Sequence, residues 1–206
     1  KTLFPYTTLF RSRRGRPTDS DSNLFDEDSV DSPSSRLEPK PTPSPEKLEQ
    51  RARNVLLYQL SKSAKSREQL RVILEQREIP DEIAHAVLER FTEVGLIDDV
   101  AFAQTVVSSR LNFKGLAKSS IRRELSTKGV DAHVIEEVTQ DITPESELKT
   151  AQDLAVRRYR TMAHLAKEVR DRRLSGYLAR KGYSANILFS AIRYAEANYQ
   201  ATHPDP

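Results

Sequence analysis

The feature that most constrains the fold is an internal repeat. One pattern of apolar and turn residues occurs three times in the 206-residue chain, starting at Leu70, Ile121 and Leu174, at shifts of 51 and then 53 residues. In each copy, two apolar residues four positions apart precede a turn, and a second pair with the same spacing follows it. Apolar residues at this spacing lie on one face of a helix. Each copy therefore predicts a helix, a sharp turn and a second helix.

The turn in two of the copies has the residues of a helix C-terminus. Lys128-Gly129 and Lys181-Gly182 place a basic residue at the negative end of the helix dipole and a glycine where the left-handed conformation is needed. The first copy has Glu78 in place of glycine. Either that turn has another form, or it keeps the left-handed conformation at a cost of about 1 kcal/mol.

An amphipathic segment precedes each helix pair, over residues 46–62, 99–113 and 146–161. Ser66 followed by Gln69 predicts a capping box at the start of one helix. Helix pairs this short can bury their apolar stripes only against a third helix or a neighbouring unit. The sequence therefore predicts an elongated all-α fold of three tandem three-helix, helix-turn-helix-like repeats. We expect the repeats to span residues 46–95, 96–142 and 143–199.

The N-terminal segment, residues 1–45, differs from the rest in composition. Residues 13–45 are rich in Ser, Pro and Asp, and four prolines alternate with other residues over 39–45. Such a segment cannot bury enough apolar surface to offset its ordering entropy, so we predict a disordered tail before the repeats. We expect residues 200–206 to be disordered as well. Residues 1–12 resemble translated sequencing-adapter read-through, so we infer no function from them.

Several classes of site find no support in the sequence. The chain has no Cys and four scattered His, so we expect no disulfide, metal or other cofactor, and a cytoplasmic protein. No catalytic signature or Gly-rich phosphate loop is present, so we do not expect an enzyme. Asp98 and Asp99 are expected as helix caps rather than metal ligands, and Leu96 and Ile97 as core residues. The longest apolar runs are too short to span a bilayer.

Basic residues are concentrated in the C-terminal part of the chain. Residues 147–183 hold ten basic and four acidic residues, and no acidic residue separates Arg172 from Lys181. Most charge runs are solvated faces, but this one favours a surface that contacts an acidic partner or phosphates. The candidate contact residues are Arg122, Arg123, Lys128, Arg157, Arg158, Arg172, Arg173, Arg180 and Lys181.

Three stretches, in order and at the repeat spacing, resemble the RecX family. They are Gly95-Leu96-Ile97-Asp98-Asp99-x2-Phe102-Ala103, Lys114-Gly115 followed by the helix and turn of residues 121–131, and residues 174–184. The resemblance covers about residues 48–197. It implies three tandem three-helix repeats and a regulator of the RecA recombinase in DNA repair, homologous recombination and the SOS response. It implies binding in the groove of the RecA–DNA filament, with suppression of ATP hydrolysis and strand exchange.

The expected partner is thus the RecA filament, with single- or double-stranded DNA as a further partner, and we expect a monomer. An alternative is a protein that binds duplex DNA directly through tandem helix-turn-helix-like units. The second helices, over 131–140 and 184–195, carry few basic residues, which disfavours that alternative. A DNA affinity that depends on salt but not on RecA would favour it.

Overall fold

The computed structural model describes residues 44–203, and the regular structure in this part of the chain is helical, without strands. This confirms the predicted all-α fold. The predicted tail lies outside the described residues up to residue 43, as do residues 204–206. The helices are α1 (Pro45–Lys62), α2 (Arg67–Glu75), α3 (Asp81–Glu93), α4 (Asp99–Ser109), α5 (Lys118–Thr127), α6 (Ala132–Thr139), α7 (Pro144–Arg160), α8 (Lys167–Arg180) and α9 (Ala185–Thr202).

Three hydrophobic cores form in chain order, one for each triplet of helices. We call α1–α3, α4–α6 and α7–α9 the first, second and third repeats. The residues that the repeat pattern placed at equivalent positions are among the most deeply buried in each core, with no exposed surface. These residues are Leu70 and Leu74, Ile121 and Leu125, and Leu174 and Leu178. The positions that repeat in the sequence are therefore the positions that form the core of each repeat.

The turn after α2 keeps the left-handed conformation although it has no glycine. Glu78 has a φ of 60°, against 73° for Gly129 and 92° for Gly182. The N–H of Ile79 donates to the carbonyl of Leu74 at 3.1 Å, closing the turn as the equivalent bond does in the other repeats. All three copies therefore share one turn, and the first accepts the cost of a side chain at the left-handed position.

Each of these turns, from the second repeat onward, docks on the start of a helix in the preceding repeat. The hydroxyl of Ser66, which begins α2, donates to the carbonyl of Lys128 at 2.5 Å. At the next junction the N–H of Ala117, which begins α5, donates to the carbonyl of Lys181 at 3.0 Å. Ser66 and Ala117 are 51 residues apart, and the two lysines are 53 residues apart. The two hydrogen bonds therefore lie at equivalent positions of the repeats, although a side-chain hydroxyl donates at the first junction and a backbone N–H at the second.

A carboxylate from the following repeat completes each junction. Asp99 of α4 accepts the N–H of Arg67 at 2.8 Å, and Glu147 of α7 accepts the N–H of Lys118 at 2.7 Å. These N–H groups belong to the first turns of α2 and α5, where no intrahelical acceptor exists and the helix dipole favours negative charge. The second and third repeats thus each supply an N-terminal cap to the repeat before them.

The docking explains why glycine is needed in two turns and not in the first. A Cβ at Gly129 would lie closer than 3.0 Å to the Cβ and Cγ atoms of Glu68, and one at Gly182 would lie equally close to the hydroxyl of Ser120. Glu78, in contrast, is exposed. The side chain at the first turn therefore costs conformational strain alone, without a collision.

The second and third helices of the third repeat are longer than their counterparts in the other two repeats. Relative to the repeat pattern, α8 begins one turn early, and Lys167 in this extra turn forms an ion pair with Glu196 of α9. The ring of Tyr199 packs on that of Tyr159, with centroids 5.2 Å apart. This packing carries α9 to Thr202, beyond the predicted end of the repeat at 199.

Local expectations for the helix ends are mostly confirmed. Ser66 and Gln69 form both bonds of the capping box, and the carboxylate of Asp98 caps α4 by accepting the N–H of Ala101 at 2.9 Å. Ile97 is buried as expected, but Leu96 is 51% exposed, so that prediction is wrong. In a connection this short, only one of two adjacent side chains turns towards the core.

Candidate partner-binding surface

Four of the predicted basic residues line one groove between α7 and α8. Arg158, Arg172, Arg173 and Arg180 contribute to a groove of about 710 Å³, which we call the basic groove. It has ten lining residues, none of them acidic. Because four arginines and no acidic residue line it, the groove is suited to bind an anion.

The spacing of residues along α8 places several of the lining residues on one helix face. Arg173, Tyr177 and Arg180 follow one another at intervals of four and three residues, so they lie on one helix face. Gly176 lies on the same face, and a Cβ there would come within 3.3 Å of a terminal nitrogen of Arg180. A glycine inside a helix costs about 1 kcal/mol relative to alanine. Here it leaves room for the arginine side chain against the helix.

Tyr177 lies between two cations at the edge of the groove. The guanidinium carbon of Arg158 is 5.7 Å from its ring centroid and the ammonium of Lys181 is 5.1 Å away. Both distances fit cation–π attraction. Lys181 also donates a hydrogen bond to the carbonyl of Lys114, in the second repeat. This lysine therefore joins the groove to the junction between the repeats, and its ammonium is already engaged there.

The second repeat presents an equivalent but less basic face. A shift of 53 residues places Arg123 at the position of Gly176 and Glu124 at that of Tyr177. Arg123 is exposed, and with Lys128 it lines a smaller groove of about 300 Å³ on α5. Glu124 lines the same groove, and its carboxylate offsets the positive charge. The attraction for anions is consequently stronger on the third repeat.

Glu124 is held as a carboxylate by Arg110. The Arg110 guanidinium donates to both carboxylate oxygens, at 2.7 and 2.5 Å, and both side chains are largely buried. These hydrogen bonds lower the pKa of Glu124 from its ordinary value, although burial opposes the shift. The sequence did not indicate this pair, because 14 residues separate its members.

The remaining candidates lie outside the basic groove. Arg122 forms an ion pair with Glu136 of α6, which neutralises part of its charge. Lys128 is half-buried, with its ammonium 3.9 Å from Glu124. Arg157 is exposed in the last turn of α7 but does not line the groove. The structure thus brings four of the candidates together in the basic groove, while Arg122 and Lys128 are engaged by carboxylates.

One exposed aromatic residue was missed by sequence reasoning. Phe113 is 88% exposed, the most exposed of the large apolar side chains in residues 44–203. It lies in a π-helical turn over Arg110–Lys114 that extends α4 and ends at Gly115, where φ is 55°. A phenylalanine at the end of an amphipathic segment is typical of a core residue. The change of helical pitch, which turns this ring outward, has no clear sequence signal.

Two further observations bear on the class of protein. Within residues 44–203, no three His, Asp or Glu side chains are grouped as a metal site would require. In the same part of the chain, no helix has the length and apolar character needed to cross a membrane.

Three family models match the chain, one for each repeat. They are the first, second and third three-helix domains of RecX, at residues 52–91, 98–138 and 145–192. The Regulatory protein RecX of Streptomyces coelicolor is 45% identical over 169 residues, 82% of this chain and 89% of that protein. The Regulatory protein RecX of Thermobifida fusca is 42% identical over 150 residues, 73% of this chain and 81% of that protein.

Solved structures share the fold. The crystal structure of RecX from Lactobacillus salivarius superposes with a TM-score of 0.65 at 20% identity, covering 74% of this chain and 99% of that one. A second crystal structure, of a regulatory protein RecX, has a TM-score of 0.62 at 23% identity and covers 72% of this chain and 73% of the other.

Proposed function

The chain belongs to the RecX family of regulatory proteins, and from this premise we propose that it binds the RecA–DNA filament and inhibits the recombinase and its ATPase in DNA repair and recombination. The relatives are named regulatory proteins, which supports action by binding rather than by catalysis. On this proposal the chain works as a monomer in the cytoplasm and needs no cofactor.

The observation that carries the proposal is the basic groove on the third repeat. A nucleoprotein filament presents DNA phosphates beside a protein surface, so a partner needs a positive region alongside other contact surfaces. Arg158, Arg172, Arg173 and Arg180 supply the positive region, and such a cluster attracts phosphates over distances of about a Debye length. The first and second repeats, which are less basic along the equivalent helices, would contact protein.

Direct binding to duplex DNA through helix-turn-helix units is the second candidate, and the basic groove is the observation that favours it. However, the helix that would enter the major groove in the second repeat is α6, and it has no basic residue other than His133. It exposes Glu136 and Glu137 instead, which would repel phosphates. We therefore favour the filament over bare duplex as the partner.

Co-sedimentation tests the two candidates against each other. The chain would be mixed with preassembled RecA filaments on single-stranded DNA, with free RecA, and with bare duplex of the same length, at several salt concentrations. We expect it to sediment with the filaments at salt concentrations where duplex binding has been lost. If the chain sediments with duplex as well as it does with filaments, and its sedimentation does not depend on RecA, the second candidate is favoured.

A further inference from the structure

A series of contacts links the basic groove of the third repeat to the turn of the second repeat that carries Phe113. Arg158 and Lys181 flank the ring of Tyr177, and Lys181 donates to the carbonyl of Lys114, the neighbour of Phe113. We call this surface, from the basic groove through Tyr177, Lys181 and Lys114 to Phe113, the aromatic–basic strip. It crosses from the third repeat to the second.

Phe113 is placed at the end of the strip by a defined piece of backbone. The π-helical turn ends at Gly115, whose carbonyl accepts the hydroxyl of Tyr183 at 3.1 Å. Tyr183 is buried at the junction, and burial raises the pKa of its phenol further above the ordinary value. An exposed ring on an anchored turn can be a contact residue, because little order is lost on binding.

We propose that the aromatic–basic strip binds single-stranded nucleic acid, with the phosphates on its arginines and Lys114, and a base stacked on Phe113. This combination of a positive surface with an exposed ring is how single strands are bound without sequence preference. The inference does not rest on the proposed function, because it concerns binding by this chain alone.

The surroundings of Phe113 favour a base over a protein pocket as its contact. Residues that anchor protein interfaces lie within an apolar, well-packed centre. The residues on either side of Phe113 in the chain are Asn112 and Lys114, both exposed and polar. An exposed ring flanked in the chain by polar residues, one of them a lysine, can instead stack on the flat face of an unpaired base. In a duplex the base faces are covered, so duplex DNA offers phosphates to the strip but nothing to Phe113.

Substitution of Phe113→Trp provides a direct readout of stacking. The chain has no tryptophan, so this variant carries one fluorophore at the proposed contact. We expect oligothymidine of about 20 nucleotides to quench the tryptophan fluorescence strongly at low salt without RecA. This length is greater than the site size of one small single-strand-binding surface. A duplex of equal length should leave the fluorescence nearly unchanged. Phe113→Ala should weaken oligothymidine binding, measured by anisotropy, by about fivefold or more.

Phe189 of α9 provides the matched control, since its ring is also exposed (62%) but lies outside the strip. Phe189→Trp should not be quenched, and Phe189→Ala should bind oligothymidine like the unchanged chain. Circular dichroism would establish that all four variants fold. The proposal is overturned if the chain does not bind oligothymidine at low salt. It is also overturned if the Phe113→Trp variant binds oligothymidine while its fluorescence stays unquenched. Equal quenching of the two tryptophan variants by oligothymidine would overturn it too, as would equal quenching of Phe113→Trp by duplex and by single strand.

Discussion

The hydroxyl of Ser66 donates a hydrogen bond to the carbonyl of Lys128, 62 residues along the chain, and accepts another from the N–H of Gln69 at 3.2 Å. One fully buried side chain therefore caps α2 and holds the turn of the next repeat. Local helix formation and the order of the repeats are stabilised by the same residue. A substitution that removes the helix cap at Ser66 is accordingly expected to weaken the junction between the first two repeats as well.

Ser66→Ala removes both hydrogen bonds and leaves the Lys128 carbonyl without this partner. We expect the free energy of unfolding to fall by about 2 kcal/mol, the sum of a lost cap and a lost buried bond. Urea denaturation followed by circular dichroism measures it. Ser184→Ala is the control, because Ser184 begins α9 without a side-chain cap and should change stability by less than about 0.5 kcal/mol. Equal losses in the two variants would contradict a special role for Ser66.

Gly129→Ala combines backbone strain with a collision against Glu68 of the preceding repeat. Gly95→Ala has the strain alone, since φ is 72° there and a Cβ would meet nothing within 4 Å. We expect Gly95→Ala to cost about 1 kcal/mol and Gly129→Ala at least about 2 kcal/mol, by denaturation at equilibrium. Glu78→Gly should stabilise the chain by up to about 1 kcal/mol. If both alanine variants lose the same stability, the turn does not dock as described.

The Arg110–Glu124 pair predicts a pH-dependent part of the stability. Arg110 lowers the pKa of Glu124 in the folded state, so the stabilisation is present above the unfolded pKa, about 4.3. It is lost as the pH falls through the lower folded pKa. We expect Glu124→Gln to cost about 1 to 2 kcal/mol near neutral pH, and the difference from the unchanged chain to shrink in acid.

Denaturation of both proteins over a pH series measures this effect. Glu136→Gln, at the exposed pair with Arg122, should change stability by less than about 0.5 kcal/mol. A difference between the unchanged chain and Glu124→Gln that stays constant from neutral to acid pH would show that the carboxylate charge is not the cause.

The helix pairs, their turns and the all-α fold could be predicted from the sequence, because they follow from local periodicity and turn residues. Leu70, Ile121 and Leu174, which the repeat aligns, are all fully buried. Glu78 stood out as an exception, and the structure supplies its reason. Glu78 is exposed, so its turn has room for a side chain, whereas Glu68 and Ser120 crowd the two later turns.

The contacts between repeats could not be predicted, because they join residues that are distant in the chain and that local periodicity and turn residues do not connect. The same limit applies to the charged residues. Composition identified a basic segment, but only the fold separates Arg172 and Arg173, which line the groove, from Arg122, which is paired with Glu136. Phe113 was missed for a related reason, since a local change in helical pitch decides which way it faces.

On the proposed function, the basic groove inhibits RecA by contacting its filament. Reversing the charge of its four arginines, with Arg158→Glu, Arg172→Glu, Arg173→Glu and Arg180→Glu combined, leaves the junction residue Lys181 intact. A matched control reverses four exposed charges of the first repeat. It carries Lys47→Glu, Arg51→Glu, Lys62→Glu and Arg90→Glu, and has the same net charge.

The most direct test is the RecA ATPase on single-stranded DNA, titrated with the unchanged chain and with both variants at low salt. We expect the groove variant to need at least about tenfold more protein for half inhibition, equal to about 1.4 kcal/mol, while remaining folded. The control variant should shift much less, and rising salt should narrow the gap between the groove variant and the unchanged chain. The account is contradicted if the folded groove variant inhibits at the same concentration as the unchanged chain. It is also contradicted if the control variant loses as much inhibition as the groove variant.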